Sequence, residues 1–220
     1  MVSHMNQDFK IMNLFSRISD FLLLNFLFII TSLPVITLGA SVTALYSVNL
    51  KMVKNEESYV ARDFFRSFRQ NFKIATPAFL LFLLAGTLMG ANIFISFQAN
   101  GTFYLFLRTL ATIFLISIIV CAKYFFPILA RFQFSFKQIW MHIPHMIITQ
   151  AGYFLFLVLL NIPVIFLIMY SVYTSFFVLI IGCIFGFAIF TYAEAFLFRK
   201  IFKRYERDCT TAHASRTNSI

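Results

Sequence analysis

Between Pro77 and Phe97 the chain carries no charged residue, and four further stretches are nearly as bare. Phe21 to Leu50, Met146 to Tyr170 and Val172 to Ala193 have none, and Phe103 to Ala122 has only Arg108. A hydrocarbon layer about 30 Å thick is crossed by about 20 apolar helical residues, so each stretch is long enough to span a bilayer. Inside hydrocarbon every backbone amide needs a partner within the structure, and these runs lack the two-residue alternation of barrel strands, so the spans are expected to be helices. With 60% hydrophobic and 12% charged residues, the 220-residue chain has too little polar side chain to cover a soluble globule. The expectation is an all-α, polytopic transmembrane helical bundle in a single domain.

The distribution of bases orients it. The connectors at 98–102 and 171–175 are short and uncharged, whereas Lys51–Lys73, Lys123–Lys137 and Arg199–Arg216 are basic, which assigns the basic connectors to the cytoplasm. The net charge of +10 could point to nucleic acid, but the bases are scattered over short connectors, so anionic lipid headgroups are the simpler partner and no nucleic acid is expected. The first apolar block is interrupted by Ser32-Leu33-Pro34-Val35-Ile36-Thr37-Leu38-Gly39, and proline and glycine both break helices. Read as one span, the block gives five crossings and leaves Lys10 and Arg17 outside. Read as a hairpin it gives six crossings, with N and C termini cytoplasmic and every Lys and Arg except Arg108 on that side. The hairpin is preferred. Its returning helix carries Ser41, Thr43, Ser47 and Asn49, so it is expected to be short or re-entrant and packed inside the bundle.

The resulting layout begins with residues 1–7 as a cloning remnant and N-terminal tail. The membrane domain covers 8–206, with helices at about 18–33, 38–53, 77–97, 103–122, 144–170 and 172–198 and an amphipathic cytoplasmic helix at 62–73. Residues 207–220 form a polar, disordered tail. Pro77 and Pro144 are read as helix starts, where a missing amide costs nothing.

Polar groups inside spans are costly, and each is a candidate site. Glu194 is the only acid in any span apart from Asp20 at the start of the first, and it lies near the cytoplasmic end and is expected to pair with a base. Asn161, Gln150, Asn92 and Lys123 are the other candidates. Gly86 with Gly90 and Gly182 with Gly186 form Gly-x-x-x-Gly pairs, which let helix backbones approach within a bundle or in a homo-oligomer. At 100° per residue, Phe64, Phe65, Phe68 and Phe72 form a stripe beside Arg62, Arg66 and Arg69, suited to headgroups or to a cytoplasmic partner. Arg131 to Trp140 forms a second aromatic and basic segment of interfacial character. His142 and His145 lack a third ligand nearby, and Cys121, Cys183 and Cys209 form no Cys-x-x-Cys pair, so neither metal nor cofactor is expected. No phosphate loop or hydrolase motif appears, so nothing argues for an enzyme, none is expected, and active transport would need an ATPase from another chain.

Several segments in order resemble the YesL-like family of bacterial membrane proteins. They are Leu33-Pro34-Val35-Ile36-Thr37-Leu38-Gly39, Ala44-Leu45-Tyr46, Asp63 to Phe72, Phe126-Pro127-Ile128-Leu129-Ala130-Arg131-Phe132 and Arg199 to Glu206. The resemblance covers roughly residues 8–206. It implies a multi-pass protein of the bacterial plasma membrane associated with carbohydrate uptake, with ABC permease subunits and their ATPase as partners. It implies no catalytic residue. The expected role is an accessory or structural subunit of a carbohydrate ABC importer, with a stand-alone small-solute transporter or channel as the alternative.

Overall fold

The computed structural model describes residues 2–54, 56, 59–98, 101–132, 138–139, 141, 159, 161–163, 166–167 and 170–200. Among the described residues every regular element is helical. They are α1 (Val2–Ser32), a 3-10 turn (Val35–Thr37), α2 (Leu38–Val53), α3 (Val60–Gln98), α4 (Thr102–Arg131), α5 (Val172–Ile181), a π turn (Gly182–Gly186) and α6 (Phe187–Lys200). By length and composition, Val35–Val53, Val60–Gln98 and Thr102–Arg131 could each cross a membrane, and α5 with α6 adds a fourth if the bent pair is one span. The helix expected at 144–170, with Gln150, His142, His145 and Pro144, lies outside the described residues or only grazes them. Residues 201–220 and Trp140 also lie outside.

The first apolar block is two helices. Pro34 sits in extended backbone at φ −75° and ψ 114°, which ends α1, and α2 returns after the short turn. The returning helix is the most enclosed element, and Ser41, Thr43 and Asn49 on it are all buried. Two of these hydroxyls bond back along their own helix, Ser41 Oγ to Thr37 O at 3.1 Å and Thr43 Oγ1 to Gly39 O at 2.8 Å, so burial leaves neither stranded. Gly39 is a packing residue as well as a breaker. A Cβ there would press on Ala75 O and come within 2.6 Å of Phe79 Cβ.

Three boundaries differ from expectation. α1 begins at Val2, so the leading tail is helical rather than separate. α3 runs unbroken from Val60 through Pro77 to Gln98, merging the expected amphipathic helix at 62–73 with the span at 77–97. Pro77 deletes only its own amide, and Ala75 and Ala78 on either side are packed at 0% and 1% exposure, so tertiary contact holds the helix across the gap. α4 likewise passes Lys123 and Pro127 and ends at Arg131. Charge made 122 look like a terminus, but Lys123 has a buried partner, described below.

The α3–α4 turn needs Gly101, whose φ of 141° is open to glycine and rare for side-chain-bearing residues. Across that turn the Arg108 guanidinium lies 4.5 Å from the Phe97 ring centroid, giving the outlying base an aromatic partner. The core gathers at the other end of the molecule. Phe64 packs with Leu24, Leu45, Val48 and Ala188, while Tyr124, Phe125, Ile128 and Phe198 pack with Ala40 and Ala75.

Candidate functional site

Glu194 on α6 is completely buried and draws in three other helical segments. Lys123 on α4 donates from Nζ to its Oε1 at 2.7 Å, and Asn161 donates from Nδ2 to the same oxygen at 3.3 Å. The Tyr46 hydroxyl on α2 donates to Oε2. Both carboxylate oxygens therefore have donors, and the single negative charge faces one ammonium. Aromatic rings wall the cluster: Phe198 meets Tyr46 edge-on at 6.0 Å and Tyr124 at 5.9 Å. The Lys123 ammonium also lies 5.5 Å from the Phe190 ring centroid. The ion pair and its hydrogen bonds act as one unit, because loss of any donor leaves the buried carboxylate undercompensated.

Three of the five polar candidates thus converge. The base that pairs with Glu194 is Lys123 from α4, and Arg199, closer in sequence, instead donates from Nη1 to the Val53 carbonyl at 2.7 Å. That bond closes the C-terminal end of α2, where a helix leaves carbonyls unpaired. Asn92 is elsewhere, on the exposed side of α3, where it accepts from Ser96 Oγ at 3.4 Å. Gln150 lies outside the described residues.

Asn25, not singled out from the sequence, and Asn49, noted there only as a polar residue of the returning helix, complete the arrangement. The chain bends by 76° between the segments Tyr173–Ile184 and Phe187–Lys200, at the π turn. Such a turn disturbs the helical ladder and frees backbone groups. Asn25 of α1, fully buried, takes them up: Nδ2 donates to Gly182 O at 3.2 Å and Cys183 O at 2.6 Å, and Oδ1 accepts from Ala188 N at 3.1 Å. Asn49 of α2 donates to Ala188 O at 3.2 Å and Thr191 Oγ1 at 2.6 Å. α6 is therefore pinned by α1 at its start, by α2 and α4 midway, and to the end of α2 through Arg199.

The glycine pairs behave differently from each other. No described atom lies within 4 Å of where a Cβ on Gly86 or Gly90 would sit. Gly182 and Gly186 belong to the π turn, and their nearest neighbours are Phe187 and Ile181, the residues that flank it. The phenylalanine stripe is also divided. Phe64 is fully buried and Phe68 partly so, whereas Phe65 and Phe72 are exposed beside Arg62, Arg66, Arg69 and Lys73. No group of three metal-ligating side chains occurs among the described residues.

Residues 21–93, roughly a third of the chain, match the family model described as protein of unknown function, DUF624. No curated protein and no solved structure matches. What is established is thus a helical chain with several membrane-length apolar helices, similar over α1 to α3 to a family whose function is open.

Proposed function

We propose that the protein is an accessory, structural membrane subunit that packs against another membrane protein, a permease of a bacterial carbohydrate ABC importer, with both termini in the cytoplasm of a plasma-membrane topology. The observation that carries this reading is the glycine face of α3, bare among the described residues. Gly86 and Gly90 lie on one side of a membrane-length helix, and no described atom fills the space that their missing side chains leave. In lipid, helices associate through close backbone approach rather than through expulsion of water, so a glycine face that no described residue fills suits a partner helix. The matched family model and the YesL-like resemblance support the membership from which the importer association comes. The exposed bases of α3 would place the permease's ATPase side nearby.

Mild-detergent purification from the native host, followed by native mass spectrometry, tests it. A permease co-purifies with the wild type and is lost in the Gly86→Leu/Gly90→Leu variant, whose own thermal stability is not lowered. A stable lone monomer from the native host counts against it.

The convergence of Lys123, Asn161 and Glu194 favours a second reading, a stand-alone small-solute transporter with these residues on a polar path. It requires solute uptake into vesicles containing this chain alone. Against it stands the closure of the cluster, since both Glu194 oxygens are already engaged within the protein.

A further inference from the structure

The register between α2 and α3 fixes how deep the first hairpin can reach. At one end Lys51 Nζ pairs with Asp63 Oδ2 at 3.1 Å. At the other, Gly39 abuts Ala75 and Phe79. α2 therefore runs antiparallel alongside α3 from Asp63 to about Phe79. On that same length of α3, Arg62, Arg66, Arg69 and Lys73 are all exposed. At 100° per residue they fall within an arc of about 60°, opposite the buried face made by Phe64, Ser67, Asn71, Ala75 and Ala78. A cation at the centre of a bilayer costs about 2.5–3.5 kcal/mol even by insertion measurements, so four of them hold this length of α3 out of hydrocarbon. α2 shares its depth.

Lengths lead to the same place. Beyond the hairpin tip, α3 continues uncharged from Leu80 to Gln98, about 28 Å at 1.5 Å per residue, which alone matches the hydrocarbon thickness. The hairpin limbs are shorter. From Asp20 to Leu33 is about 20 Å, and from Ile36 to Lys51 about 22 Å, so neither limb crosses a layer of about 30 Å with its charge outside.

The tip is built to meet lipid. Leu33, Val35 and Ile36 are 75%, 55% and 57% exposed. The backbone beneath them is paired internally, as hydrocarbon requires. Thr37 N donates to Pro34 O at 2.9 Å, and Thr37 Oγ1 to Pro34 O at 2.7 Å and Thr31 O at 2.5 Å. Thr31 Oγ1 in turn donates to Leu27 O at 2.8 Å. Ser32 Oγ is the exception, with no partner among the described residues.

We infer that the α1–α2 hairpin is a re-entrant wedge. It enters the bilayer from the leaflet marked by the basic face of α3, buries Leu33, Val35 and Ile36 among the acyl chains of that leaflet, and returns without crossing. The even number of crossings expected from the base distribution is kept, with this pair removed from the six.

The test uses the full chain with Cys121, Cys183 and Cys209 replaced by alanine and a single new cysteine, either Ile36→Cys or Thr102→Cys. Each is reconstituted in phosphatidylglycerol-containing vesicles and treated from either side with a membrane-impermeant maleimide. Then Ile36→Cys, labelled with a small fluorophore in detergent before reconstitution, is quenched by lipids spin-labelled at shallow or deep acyl positions. The expected result is aqueous labelling of Thr102→Cys from one side only, loss of labelling of Ile36→Cys from both sides, and clear quenching of the fluorophore by spin-labelled lipid. Labelling of Ile36→Cys from the side that labels Thr102→Cys means the hairpin crosses, and overturns the inference. Labelling from the opposite side, or absence of quenching, means the tip is not in lipid, and overturns it equally.

Discussion

Lys123 and Glu194 touch at 2.7 Å from unlike surroundings, the lysine side chain 36% exposed and the carboxylate not at all. Removing the lysine strands a buried anion, while removing both charges strands nothing. Lys123→Met is expected to cost about 3 kcal/mol, the low end for a broken buried pair because Lys123 is partly solvated, and Lys123→Met/Glu194→Gln is expected to recover most of it. Thermal unfolding in detergent of the two singles and the double checks this, and additive losses would mean that the pair is not coupled. Part of this cluster was legible in the sequence. Glu194 stood out as the one acid in any span after the first few residues of the opening helix, and Lys123 and Asn161 as costly polar neighbours of apolar runs. Tyr46 gave no such signal, being one of nine tyrosines in an aromatic-rich chain. Asn25 carried a usable one, an amide in the midst of Phe21 to Ile30, but its target is a backbone irregularity more than 150 residues away that no local pattern announces.

At the scale of elements, two glycines on facing helices have opposite requirements. A methyl on Gly39 collides with Ala75 O and the Phe79 side chain, so α2 must lift off α3, and Gly39→Ala is expected to destabilise by about 1–3 kcal/mol. A methyl on Gly86 meets no described atom, and helix propensity alone makes Gly86→Ala stabilising by about 0.5–1 kcal/mol. Unfolding midpoints of the two variants should move in opposite directions, and a loss at Gly86 would reveal a close neighbour there. The sequence marked both as special without ranking them, because spacing identifies a glycine face but not what occupies it. The prolines mislead for a related reason. Pro34 ends a helix, whereas Pro77 and Pro127 are carried inside one. The difference lies in the packing of Ala75, Ala78, Phe126 and Ile128, which is tertiary information.

For the whole molecule, uncharged length and the siting of bases were enough to foresee an all-helical chain with several membrane-length elements and a broken first block. Depth was left open, the returning helix being expected only as short or re-entrant. It depends on the pairing of Lys51 with Asp63 and of Gly39 with Ala75, contacts between helices whose rotation a one-dimensional pattern leaves open. Sidedness is less demanding, since the siting of bases alone argues for it. Fusions of a fluorescent protein and of alkaline phosphatase to each terminus check it: fluorescence with no phosphatase activity is expected at both, and phosphatase activity at either would reverse the orientation assigned to that end.

The bonds that α6 makes have a bearing on biosynthesis. Asn25, Tyr46, Asn49 and the Val53 carbonyl all find their partners between Gly182 and Arg199. While the ribosome is still translating α4, those groups have already emerged and the residues they bond in the folded chain have not yet been made. The insertion machinery must shelter the nascent hairpin, or water must reach it, until the final helix arrives and closes the assembly.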